Sequence, residues 1–389
     1  MMTTSNRFLT VGSLLRPEEL LKYRDKIQVA EDISYPFYDY FDGYKEVEDQ
    51  AVKEVVAKQA EVGIPELTDG EYPRSLWHTD FVWGLNGARR YITDHGYYFR
   101  DKDNKESNYE TRRDIGTTFD QAIDGKNHPF LDHYRRLREL APDGADLKLS
   151  IPSPSHIYGE NIVFDQLQGS YYEGKEEEFR KDLAQAYKDF LDDYKAIGGK
   201  TIQLDDCLWE LFAEQDHPFI KNKDNFEVRP EDFIDLNNEI IDYGHDLGLK
   251  VYTHNCRGNY ASRSFSDGTY ESISDTFLKN LRYDRFFLEW DDEDRVGSLT
   301  ALEAFSDRPD TEVVLGLLSS KTDHLDDEDR ALSILEEASK YVDKDKLYLS
   351  HQCGFASTDI GNELTIDQQW AKIKQGQEIA HKFWGNNLV

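Results

Sequence analysis

"KEEEFRKDLAQAYKDFLDDYKAIGGKTIQLDD", residues 175–206, sets a helical pattern directly against an apolar run. Phe179, Leu183, Tyr187, Phe190, Tyr194 and Ile197 recur at spacings of three and four, so 175–199 reads as an amphipathic helix. Gly198 and Gly199 supply its C-terminal stop. "KTIQLDD" (200–206) then reads as a buried strand that ends in two acids.

The same unit recurs along the chain. Short β-rich runs lie at 7–13, 66–72, 147–153, 200–206, 249–256, 285–291, 312–320 and 347–354. Helical patterns at 44–62, 229–246, 326–342 and 366–384 separate several of them. Eight such runs predict a parallel (β/α)8 TIM barrel. An open doubly wound sheet would carry a Gly-rich turn after its first strand, whereas "VGSLLRP" (11–17) has one glycine. The expectation is a single catalytic domain over 1–389. Its one anomaly is a long Tyr-, Arg- and Asp-rich insertion after the second strand, residues 73–146, expected to cover the active-site mouth.

Composition narrows the function classes. Seventy-seven acidic residues against 46 basic ones give a formal charge of −31. Such a surface repels nucleic acid and anionic membranes, so neither is an expected partner. Three cysteines in 389 residues are no disulfide framework and suit a reducing compartment. With no signal-like or spanning segment at the N-terminus, a cytoplasmic location is expected.

Barrel chemistry gathers at the C-terminal ends of strands. Those ends read Ser13, Glu71, Ser153 with His156, Asp205 with Asp206, His254 with Cys256, Glu289, Ser320 with Lys321, and Cys353. His254 and Cys256 are two apart, so on an extended backbone both point the same way. With Glu289 and Cys353 they make a tetrahedral donor set suited to zinc. His351 and Asp291 are alternative ligands. Glu71 and Asp205 suit an ammonium group and Ser13 a carboxylate, together an amino-acid zwitterion beside a metal. One of Asp205 and Asp206 is expected only to cap the next helix.

"THNC" (253–256), the Glu of "FFLEWD" (286–291) and "QCGFAS" (352–357) are similar to the zinc-ligand motifs of cobalamin-independent methionine synthase. "TVGS" (10–13), "DGE" (69–71) and "IQLDD" (202–206) resemble that family's homocysteine-binding segments. The resemblance runs in order over nearly the whole chain and is to a short single-barrel member, matching the catalytic C-terminal barrel of the long enzymes. It implies Zn2+ on His254, Cys256, Glu289 and Cys353, and homocysteine on Ser13, Glu71 and Asp205. The implied reaction is methyl transfer to the homocysteine thiol, giving methionine, from a 5-methyltetrahydrofolate-type donor.

The chain departs from the family in two places. The histidine that protonates the folate nitrogen in the long enzymes is replaced by Lys321, with His324 nearby, so these two are the expected catalytic acids. The folate-stacking tryptophan is missing from "IPSPSHIYG" (151–159), which leaves Trp77 or Trp83 as substitutes. Arg74, Arg89 and Arg90 are the candidate patch for a glutamate tail. The alternative reading is zinc-dependent alkyl transfer to another small thiol, as in epoxyalkane-type thiol transferases. A metal-binding protein without turnover is a third. Oligomeric state is not encoded in any of these features.

Overall fold

The structure is a computed structural model that describes residues 7–100, 107–214, 228–292 and 297–385. Its strands in chain order are β1 (Glu66–Leu67), β2 (Asn86–Tyr91), β3 (Tyr98–Arg100), β4 (Ser107–Glu110), β5 (Gly116–Asp124) and β6 (Asp146–Leu147). They continue as β7 (Leu149–Pro152), β8 (Thr201–Asp206), β9 (Lys250–Asn255), β10 (Arg285–Glu289), β11 (Glu312–Leu318) and β12 (Leu347–His351).

The helix expected at 175–199 spans Glu176–Ala196. Three glutamates in its first turn face the positive end of the helix dipole. Its apolar stripe of Phe179, Leu183, Tyr187, Phe190 and Tyr194 is buried. Gly198, at φ 91°, turns the chain into β8. The helices expected at 44–62, 229–246, 326–342 and 366–384 are Tyr44–Glu61, Pro230–Asp246, Glu328–Ala338 and Ile366–Trp384.

The fold is α/β. β7 to β12 form one six-stranded parallel sheet in which each strand pairs with its neighbours in sequence. The register sets Asp205 of β8 against His254 of β9, and His254 against Phe287 of β10. At one edge, β6 pairs in parallel with β1 and continues within two residues into β7, where the Lys148 N–H donates to Leu67 O at 3.0 Å. At the other edge Phe8 bridges in parallel to Leu349 of β12. The same N-terminal run also reaches the β1 segment: the Leu14 N–H donates to Gly70 O, and the Thr68 hydroxyl to Gly12 O.

The runs at 7–13 and 66–72 were expected as full strands and are a single bridge and a two-residue strand. Gly70 (φ 69°) and Glu71 (φ 59°) take the left-handed conformation, which stops the extended backbone just where the site begins. A small core of Leu9, Val11, Tyr252, Phe287 and Val314 is separate from the large one that packs sheet against helices. Beside it Arg285 is bracketed by Glu66 and Glu312, each at 2.7 Å. Burial of sheet residues on both faces is what parallel strands require.

The 73–146 insertion carries its own structure. β2 pairs antiparallel with β5, and β3 with β4. Phe119 of β5 packs against Phe179, with ring centroids 5.2 Å apart. His128 sits under this layer, its Nε2–H donating to Phe81 O at 2.8 Å while Nδ1 accepts from the Phe130 N–H.

Burial, only partly opposed by that bond to Phe81, lowers the His128 pKa from 6.5 to about 3. The unfolded chain therefore takes up a proton below pH 6.5 that the folded chain refuses until about pH 3. Stability from this group is complete above pH 6.5 and is lost as pH falls towards 3, by about 1.4 kcal/mol per pH unit. Urea unfolding at about pH 7.5 and 5.5 should show this loss, and His128→Gln should shrink the difference by about 1.4 kcal/mol. An identical pH dependence in the variant would contradict it. Among the described residues no helix is long and apolar enough to cross a membrane.

Candidate functional site

The ends of the parallel strands open into a cavity whose envelope, open solvent included, is about 980 Å3. β9 delivers His254, and the chain just beyond it Cys256. The turn after β12 delivers Cys353. Ligand atoms of these three buried residues all lie within 4.8 Å of one another. The two sulfurs are 3.5 Å apart, and both thiols are free. Neither ring nitrogen of the buried His254 has a hydrogen-bond partner.

Both thiol pKa values are pushed well up. For Cys256 the first cause is its contact with Cys207, and for Cys353 its contact with Cys256, with burial adding to each. The adjacent His254 opposes this at Cys353. A buried imidazole without a partner and two crowded sulfurs need a cation to become a stable set of ligands. Two zinc thiolates at tetrahedral angles lie about 3.8 Å apart, close to the observed spacing.

Glu289 ends β10, fully buried. Its Oε2 accepts the Arg257 N–H at 2.7 Å and its Oε1 faces Lys321 Nζ at 3.3 Å. It is outside the three-residue cluster and, like Lys321, is not among the residues that line the cavity. Of the alternative ligands, His351 is buried edge-on against Phe8 and Phe355, and neither it nor Asp291 lines the cavity.

Ser13, Glu71 and Asp205 line the same cavity as the cluster. The Ser150 hydroxyl donates to Glu71 Oε1 at 2.8 Å, and Glu71 Oε2 is buried without a partner. Gln203 Nε2 donates to Asp205 Oδ1 at 2.7 Å. Burial, and then the charge of Glu71, hold the Asp205 pKa well above the usual carboxylate range. Two buried acids that repel one another favour a positive group placed between them. Asp206 is the one that serves structure: it accepts from Ser153, from Ser155 and from the Leu208 N–H.

Gly354 lets Ser13 approach the turn that carries Cys353. A Cβ at 354 would stand 1.9 Å from Ser13 Oγ. Gly354→Ala should therefore displace Ser13 and cost about 1–3 kcal/mol in urea unfolding. An unchanged midpoint would refute the close fit.

Three sequence expectations fail here. His324 is 74% exposed beside Asp323, so it does not reach the cavity. Lys321 is committed to Glu289 and is absent from the cavity lining. The arginine patch does not form: Arg74 is buried near Glu71 and Arg90 against Asp114, while Arg89 pairs with Asp120 on the surface. Trp77 does line the cavity, whereas Trp83 is buried and donates to Thr117 Oγ1.

Sequence reading also missed a second cluster, His78, His156 and Glu160, on the lining of the same cavity. His156 and Glu160 are i and i+4 on the helix Pro154–Val163. That spacing was visible in "SHIYGE", but their partner His78 comes from the insertion. Glu160 accepts from His78 Nε2 at 3.2 Å and from the Tyr97 hydroxyl.

Two Bacillus subtilis (strain 168) proteins, both uncharacterized, align over almost the whole chain. YxjH is 36% identical over 377 residues and YxjG 35% over 379, each covering 96% of this chain and 93% of the relative. A solved structure of a candidate vitamin-B12-independent methionine synthase from Listeria monocytogenes is 28% identical. It covers 97% of both chains, with a TM-score of 0.69. The chain belongs with YxjH and YxjG in one family and resembles vitamin-B12-independent methionine synthases over nearly its whole length. A B12-independent methionine synthase from Shewanella sp. W3-18-1, solved with selenomethionine, shares the fold at 20% identity and a TM-score of 0.67, covering 97% of this chain and 98% of that one. No family model matches the sequence.

Proposed function

We propose that this protein transfers a methyl group to the thiol of homocysteine, giving methionine, with zinc held by His254, Cys256 and Cys353 and with Glu289 as fourth ligand. The observation that carries this reading is the placement of the His254–Cys256–Cys353 cluster in one cavity with Ser13, Glu71 and Asp205. We read the architecture as a single closed (β/α)8 barrel. The supporting bonds are those by which residues 7–14 join β12 on one side and the β1 segment on the other. In this reading the 73–146 insertion roofs the mouth; its Leu76, Trp77, His78, Tyr97, Phe99 and Thr111 line the cavity.

Glu71 and Asp205 hold the acceptor's ammonium group, which relieves their mutual repulsion. Ser13 and the backbone around it take the carboxylate. With both ends fixed, the side-chain sulfur reaches the cysteine pair. Zinc, when bound there, keeps that sulfur deprotonated at neutral pH. Two thiolates and a carboxylate in the ligand set leave the centre about one negative charge, which favours a nucleophilic sulfur over an acidified water. The paired acids also favour an amino-acid thiol over the simpler thiols of the epoxyalkane-type alternative.

A proton count tests this without a methyl donor. Homocysteine binding to the zinc-loaded protein at about pH 7 should release about one proton, read by calorimetry in two buffers of different ionisation enthalpy. Homoserine should release about one proton fewer, since any proton that Asp205 gives up to the ammonium group is common to both ligands. Equal proton release by the two would contradict thiol activation.

A further inference from the structure

The part of the cavity lining around Glu160 describes the methyl donor. Three acids, Glu71, Asp205 and Glu160, line this cavity, and among the described residues no lysine or arginine does. Glu71 and Asp205 belong to the acceptor's side. Glu160 stands apart, 5% exposed, on the helix Pro154–Val163. The lining of this cavity also carries Trp77, Tyr97, Phe99, Phe164, Tyr260 and Phe265, of which Tyr97 donates to Glu160. Trp77 lies 4.7 Å, centroid to centroid, from both His78 and His156. Phe99 lies 5.5 Å from Tyr260 and 5.7 Å from Phe265.

His156 adds no fixed positive charge opposite Glu160. The Cys207 N–H donates to His156 Nδ1, so the neutral ring carries its proton on Nε2. Burial lowers the His156 pKa to about 3, although Glu160 raises it. Glu160 is held ionised at about 2, where His78 and the hydrogen bonds to it outweigh the upward push of burial. A carboxylate inside an aromatic wall is a site for a cation, and quaternary or sulfonium cations use such walls best. A folate donor carries at least one glutamate carboxylate and would meet no lysine or arginine among the described residues of this lining.

Resting on the methionine-forming reading above, we infer that the methyl donor is an onium compound, a sulfonium or quaternary ammonium ion, seated on the aromatic wall against Glu160. The acceptor thiolate attacks the methyl carbon and forms a new C–S bond. The bond from methyl to the onium sulfur or nitrogen breaks, and its electron pair stays on that atom. The products are two neutral groups, a thioether from the acceptor and a thioether or tertiary amine from the donor. Nothing is oxidised or reduced, and no proton has to be delivered to the leaving group. This accords with neither Lys321 nor His324 lining the cavity, since the reaction needs no general acid. A dry cavity assists it, because an anion and a cation annihilate as the bond forms.

The test uses the full-length, zinc-loaded protein and two probes of the same shape, choline and its uncharged isostere 3,3-dimethylbutanol. Calorimetry should find choline bound at least about tenfold more tightly. Glu160→Gln and, separately, Trp77→Leu should each remove most of that preference while keeping the zinc content, which also controls for folding. Incubation with homocysteine and carbon-13-methyl donors should label methionine from S-methylmethionine or glycine betaine but not from 5-methyltetrahydrofolate. Equal binding of the two probes, an unchanged preference in both variants, or label arriving only from the folate would overturn the inference. If choline binds as expected but homocysteine releases no proton, the acceptor reading fails and the cation site stands. If homocysteine releases its proton but the probes bind equally, the donor inference alone fails.

Discussion

Cys353→Ser is expected to abolish both metal retention and turnover. Cys353 supplies one of two sulfurs 3.5 Å apart, beside a His254 ring with no other partner. Serine is nearly isosteric, but its hydroxyl is not ionised at neutral pH and is a poor ligand for a borderline-soft cation. The remaining histidine, single thiolate and Glu289 make a site with one sulfur in place of two, in a pocket that raises the thiol pKa. Zinc should fall below about a tenth of an equivalent after dialysis, and methionine formation by at least about a thousandfold, about 4 kcal/mol in barrier. Cys207→Ser is the control. Cys207 lines the same cavity but lies outside the three-residue cluster, so its variant should keep the metal. A Cys353→Ser protein with full zinc and activity would contradict the assignment.

Asp205→Asn should separate binding from stability. A carboxylate whose pKa is raised by burial and by Glu71 costs the folded state free energy while it is ionised. Asparagine keeps the oxygen that accepts from Gln203 and removes that repulsion. The variant should unfold at the same temperature as the parent or higher. Its KM for homocysteine should nevertheless rise roughly tenfold to a hundredfold, the cost of losing a charged hydrogen bond to the ammonium group. Glu71→Gln should raise KM in the same way, and the two effects should not add, since both acids act on one ammonium. A lower melting temperature with unchanged KM would make Asp205 a structural residue. Sites that trade stability for function behave in the opposite way.

Much of this was legible in the sequence because it follows periodicity. The helix 176–196 and strand β8 appear within three residues of where their apolar spacing put them. His254 and Cys256 meet Cys353 because strand ends in a parallel sheet open to one side. What failed has local causes. Left-handed Gly70 and Glu71 shorten the second run, and a sequence shows a glycine there but not the strained Glu71. The strands of the insertion, such as "NGARRY" at 86–91, are polar and largely unburied, so alternation could not mark them. His324 misled because proximity to a strand end was taken as direction. The Ser319 N–H instead donates to Asp326, Lys372 binds the His324 carbonyl, and the ring is left outside. The pairing of His78 with Glu160 joins the insertion to the helix 154–163, a contact between distant segments that no local pattern carries.

The central claim is that the His254–Cys256–Cys353 cluster is a zinc centre that takes up the acceptor's thiolate. Zinc-edge X-ray absorption on the purified protein, with and without homocysteine, tests it most directly. The account predicts two sulfur neighbours on the metal without homocysteine and three with it. Two sulfurs in both states would leave a metal site whose substrate is not homocysteine, and a protein without zinc would contradict the account altogether.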